Sequence, residues 1–112
     1  MQKHYRRYLF IDFDNLSKVK FKKLEKVSTK IFVFISSERE VIPFTLVQQI
    51  QKFGRNLRWI VVEKAREKDM HFHIAFLMGK FHQKVHRDVE FAVLTNHKEL
   101  DPLIHFINNS GR

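Results

Sequence analysis

The sequence predicts an α/β fold of three layers, α/β/α, with a four-stranded parallel sheet and the first strand central. Three observations lead there. Four short apolar runs, Tyr8–Ile11, Ile31–Ile35, Trp59–Val62 and Phe91–Leu94, are each followed by a stretch with apolar residues at helical spacing. Strand–helix alternation of this kind builds a parallel sheet covered by helices on both faces. The first run ends abruptly in Asp12, Asp14 and Asn15, and polar groups just past the carboxyl end of a buried strand stand where open α/β sheets bind ligands. The chain has 112 residues, 44% of them hydrophobic and twelve of them phenylalanine, which suits one domain, 1–112, with its own core.

Each element has a local reason. Tyr8–Ile11 is a continuous apolar run bounded by polar residues, the mark of a strand buried on both faces. Residues 16–29 place Leu16, Val19, Phe21, Leu24 and Val27 mostly three apart among lysines, which predicts a helix lying on the sheet. Ile31–Ile35 is the second strand, and Ser36-Ser37-Glu38 a turn. Pro43 opens the next helix, Phe44, Leu46, Val47, Ile50 and Phe53 form its apolar side, and Gly54 closes it. Trp59–Val62 is the third strand and residues 64–69 a charged loop. Met70 to about His86 is the longest helix, with Ile74, Leu77, Met78, Phe81 and Val85 on one side. Phe91–Leu94 is the fourth strand, Thr95–Glu99 a loop, and Leu100–Asn108 the last helix. With the first strand central, Asp12 and the Thr95–Glu99 loop meet at one crevice.

Charge narrows the partners. Twenty-one Lys and Arg against twelve acids give +9, and residues 1–30 supply +6 of it. A chain this basic suits a polyanion: nucleic acid first, an anionic membrane surface second, an acidic protein third. Lys18, Lys20, Lys22, Lys23 and Lys26 flank the predicted crevice and are the candidate phosphate contacts, with a solvated helix face as the plain alternative. The absence of cysteine excludes disulfides and thiolate metal sites. There is no secretory apolar region and no apolar run of about eighteen residues, so neither a signal peptide nor a membrane span is expected, and the expected location is the cytoplasm.

Asp12, Asp14 and Asn15 offer the oxygen donors that hard cations take. An Asx turn or a cap for the following segment explains the same residues without chemistry. Phe13 between the acids is either a packed aromatic or a surface for a base. His82 and His86, four apart on the long helix, have the spacing of a metal pair but no third ligand in view; His73, His4 and His105 carry no site.

Three motifs together resemble a known family. Phe10-Ile11-Asp12-Phe13-Asp14-Asn15-Leu16 resembles the opening of PIN-like nucleases, in particular the NYN branch. Phe72-His73-Ile74-Ala75-Phe76 with Gly79 resembles the central helix of bacterial members. Leu94-Thr95-Asn96-His97-Lys98-Glu99-Leu100-Asp101-Pro102-Leu103-Ile104 resembles the last family motif, a Ser/Thr-x-Asp loop and a Pro-Leu-Ile helix. The resemblance spans residues 8–112. It implies an RNA-directed ribonuclease site in which carboxylates hold Mg2+ or Mn2+ for attack of water on a phosphodiester. By the same resemblance Asp12 is the first metal ligand, Asp14 a neighbouring acid, Asn15 the supporting amide and Glu99 a second acidic position.

The chain departs from that pattern at three places. His71 stands where the family has Asp before the Phe-His-Ile-Ala run, and His97 where it has the Asp of the loop. Asp69, two residues from His71, lies about 200° away on an ideal helix and is a poor substitute. Beyond Asn108 the fifth strand usual in the family is not evident, which would leave the fourth strand as an apolar edge open to a second copy of the chain. The histidines allow three readings. The site is a pseudonuclease that binds RNA or a partner; it cleaves, either with Asp12, Asp14 and Glu99 holding a metal with help from His97 or with His71 and His97 in acid–base roles; or His71 and His97 with a carboxylate take a transition metal such as zinc, manganese or iron.

Overall fold

A computed structural model describes residues 5–63, 66, 69–95 and 98–112. Of the expected loop at 64–69, residues 64, 65, 67 and 68 lie outside the described residues. So do His4, Asn96 and His97. Four strands, β1 (Arg7–Asp12), β2 (Thr29–Ser36), β3 (Leu57–Val62) and β4 (Glu90–Leu94), make one sheet in the order β3-β2-β1-β4. Every pairing is parallel. β1 is therefore interior, as expected, and bonded on one side to β2 and on the other to β4. Its last residue, Asp12, lies opposite Phe34, and Ile11 lies opposite both Val33 and Leu94.

Period-two alternation divides the strands between two cores. Tyr8, Phe10, Phe32, Phe34 and Phe91 point to one face and meet α3 (Met70–Lys84) and α4 (Asp101–Asn108). Leu9, Ile11, Ile31, Val33 and Ile35 point to the other, where α1 (Phe21–Leu24) and α2 (Phe44–Ile50) lie. The first core is largely aromatic: Phe10 stacks on Phe32 with ring centres 5.3 Å apart, and Phe81 closes over Phe32 at 4.9 Å. Burying side chains of this size contributes about 1.5–3 kcal/mol each, the main force holding helices to sheet. The alternation also assigns Asp12 a side: it shares the face of Phe10 and Phe34, the face that α3 covers.

Two predicted helices come out differently. Residues 16–29 do not form one helix. A 3-10 helix runs Phe13–Lys18, and after Val19 and Lys20 a single α turn, α1, follows. Three-residue spacing brings Phe13, Leu16 and Val19 into one line only when there are three residues per turn, which is the 3-10 geometry; Phe13 and Leu16 are buried and Val19 packs beside them. The helix after Pro43 keeps α geometry as far as Ile50 and tightens into a 3-10 segment, Gln51–Asn56, in which Gly54 takes φ 49°, a conformation that glycine adopts readily. Phe44, expected on the apolar side, is exposed.

β4 is an edge strand, and Arg112 crosses its start. The guanidinium sits 4.1 Å from the ring centre of Phe91 and donates to the carbonyls of Val89 (2.7 Å) and Val85 (2.8 Å). It also donates to the carbonyl of His82 at 3.2 Å and, through Nε, to His82 Nδ1 at 3.1 Å. One side chain thus satisfies carbonyls that the carboxyl end of α3 leaves without helical partners.

Candidate active site at the carboxyl edge of the sheet

The apolar strand β1 carries Asp12 into the interior, where it is only 5% exposed. A carboxylate there must be hydrogen-bonded to be tolerated. Three donors converge on it. Asn15, itself buried, gives both its backbone N–H (3.2 Å) and its side-chain amide to Oδ1. Thr95, just past β4, gives its hydroxyl to Oδ2 at 2.8 Å. The first bond makes Asp12 the cap of the Phe13–Lys18 helix. Capping and a site role are therefore compatible here, because the two oxygens divide the work: one holds the local turn and the other ties β1 to β4.

Asp12 borders a cavity of about 200 Å³, lined also by Phe13, Asp14, Phe34, Ile35, Ser36, Arg39 and Met70. Asp14 is exposed and accepts from Arg39 at 2.6 Å. The Arg39 guanidinium lies 4.4 Å from the ring centre of Phe13, and Phe13 is packed into the core 6.2 Å from the ring of Trp59. Phe13 is thus a core aromatic that also serves as a platform for the cation. A pair as exposed as Asp14–Arg39 contributes about 1 kcal/mol or less, so a phosphate or a metal ion can displace either partner at small cost.

The structure brings Asp12, Asp14 and Asn15 to one place. His71, in the first turn of α3, is half-buried with its ring 4.2 Å from that of Phe72, and its neighbour Met70 rather than His71 lines the cavity. Glu99 is exposed in a short 3-10 turn, Lys98–Leu100, and is not among the lining residues. His97 is outside the described residues. Lys18, Lys20, Lys22, Lys23 and Lys26 are all exposed, on the stretch that leads from the site along the α1/α2 layer. Among the described residues no three of His, Asp and Glu converge as a metal site. Thr95 joins Asp12, as the expected meeting of its loop with the first strand foretells, although the sequence reading assigns it no role, whereas Arg39 belongs to the site and is not singled out by that reading. Arg39 stands three residues past the carboxyl end of β2, which was the available signal.

Searches of curated proteins and of solved structures return no match. A family model described as PIN domain matches residues 6–112, a span that includes all four strands, the Asp12–Asn15 turn and Thr95. With an all-parallel sheet whose interior first strand ends in a braced carboxylate, the chain belongs to the PIN domain family.

Proposed function

We propose that this chain is an NYN-type PIN domain that acts on RNA at the Asp12 cleft, with a divalent cation held there. The observation that carries the reading is the Asp12 carboxylate, buried yet bordering a cavity and fixed by Asn15 and Thr95. A buried charge costs free energy unless paired, and a turn needs no such investment, since an exposed Asx caps equally well. The donors on the cavity wall fit a hard cation: the carboxylates of Asp12 and Asp14 and the hydroxyl of Ser36 are all oxygen, which favours Mg2+ or Mn2+ over Zn2+. The chemistry supplied by such an ion is Lewis-acid polarisation of a phosphodiester. The chain's own residues hold Asp12 in one rotamer, present Asp14 beside it, and offer Arg39 to a phosphate oxygen once it leaves Asp14. Lys18 to Lys26 extend the contact along the RNA backbone.

A second reading has its own support. Arg39 places a positive charge against the second carboxylate, and His71 and His97 stand where the family has aspartate. In that reading the domain binds RNA, or docks a protein partner or a second copy along the β4 edge, and does not cut.

The test is cleavage of mixed single-stranded RNAs with Mg2+, Mn2+ or Zn2+, with Asp12→Asn alongside. Asparagine keeps the shape; its Oδ1 still accepts from Asn15, and the Thr95 hydroxyl can turn to accept from its amide, so the variant removes charge and leaves the fold. Metal-dependent cleavage lost in Asp12→Asn establishes the nuclease. No cleavage from protein that shifts RNA in a salt-sensitive manner, equally in both forms, establishes the binding role. No RNA shift at physiological salt, with a stable dimer or a tight protein partner, overturns the RNA reading.

A further inference from the structure

We propose that the outward face of α3, the helix whose first residue lines the cleft, is a stacking platform for unpaired RNA bases; the proposal rests on the RNA reading above and names the surface that reads the strand. On an ideal helix, Met70, Ile74, Met78 and Phe81 fall within an arc of about 80°, and Phe72, Phe76, Gly79 and Gln83 within about 60° on the opposite side. The first set packs into the aromatic core. In the second, Phe72 is 65% and Phe76 76% exposed. Side chains four apart on a helix are neighbours, about 6 Å apart along the axis, so the two rings form one aromatic strip facing water.

Two further observations identify what covers it. α3 contains two lysines, three histidines and no acid. Lys80 and His73 are exposed beside the strip. A second copy of this helix would bring like charges together, whereas single-stranded RNA offers bases to the rings and phosphates to Lys80 and His73. Gly79 continues the strip, and a Cβ there would meet nothing within 4 Å. The chain's own packing therefore does not require a glycine at this helical position, but the bare backbone gives a ribose room to approach beside Phe76. α3 itself begins at the site, since Met70 lines the Asp12 cavity, while the strip lies on the face of the helix turned away from the sheet.

The experiment measures binding of a labelled single-stranded RNA of about a dozen nucleotides, a length within the usual site sizes. It uses the full chain and Phe72→Ala/Phe76→Ala, which removes only exposed rings, together with an abasic strand of equal length and charge. Phe106→Ala, an equally exposed ring on α4, is the control. The wild type should bind the natural strand about tenfold or more tighter than the abasic one. The double variant should lose that preference while its thermal midpoint and its affinity for the abasic strand stay unchanged, and Phe106→Ala should match the wild type. RNA binding undiminished in the double variant overturns the platform and leaves the RNA reading standing. RNA binding absent from the wild type overturns both. A wild-type dimer dissociated by the double substitution, with RNA affinity unchanged, reassigns the face to self-association.

Discussion

Asp12 shows how one buried charge is made tolerable and then useful. Its oxygens are committed to Asn15 and Thr95, so the carboxylate has a fixed direction. Asn15→Ala removes one of those donors from a group that is shielded from water. The expected loss is about 1–3 kcal/mol of folding stability, read by urea denaturation, against about 0.5 kcal/mol or less for Asp14→Ala at the exposed pair. Equal effects of the two would mean that water already satisfies Asp12. The sequence made Asp12 legible because an apolar run that stops at an acid is unusual and its position in the sheet is predictable. Arg39 was not legible. Its partner Asp14 is 25 residues away, and an arginine in a polar turn reads as solvated until the turn is folded back over Phe13.

Among the elements, strands were easier to read than the pieces between them. Runs such as Ile31–Ile35 are buried on both faces and tolerate no polar residue, so composition alone defines them. Residues 13–24 carry too few apolar side chains to define a period: a spacing of three serves a helix with 3.6 residues per turn only roughly and one with three residues per turn well. The long helix was legible because Ile74, Met78 and Phe81 repeat over several turns. Its single glycine gives a prediction at this scale. Gly79→Ala adds a methyl group that meets nothing and relieves the backbone entropy cost, so the fold should gain about 0.5–1 kcal/mol, a rise of a few degrees in the thermal midpoint followed by circular dichroism. A lower midpoint would show that α3 uses the glycine's extra conformational freedom.

Taken whole, the molecule places its charges unevenly about the sheet. The lysines at 18–26 lie along the α1/α2 layer, acid-free α3 occupies the opposite layer, and Asp12 and Asp14 sit at the edge between them. A strand of RNA held on both layers must cross that edge. The net charge of +9 forecast a polyanion; which layer carries which charge could not be forecast, since it depends on the order β3-β2-β1-β4. Acid should loosen the whole fold through the joint at the end of α3. His82 accepts from Arg112 and lies against Arg87, and its pKa is lowered by burial first and by those two cations second. The unfolded chain then takes up the proton more readily than the folded one. Stability from this group is complete above the ordinary histidine value of about 6.5, falls as pH drops below it, and levels off once pH passes the lowered value. His82→Gln should flatten that part of a stability-against-pH curve; a curve unchanged by the substitution would place the titration elsewhere.

The bond between Thr95 and Asp12 spans 83 residues of sequence, because β4 pairs with β1. This fixes a moment in the life of the protein. During synthesis, Asp12 leaves the ribosome 83 residues ahead of Thr95, and its second oxygen lacks this donor until the fourth strand has been made and docked. Long-range parallel pairing of this kind is also among the slower steps in folding. The brace on the second oxygen of Asp12 thus arrives together with completion of the four-stranded sheet.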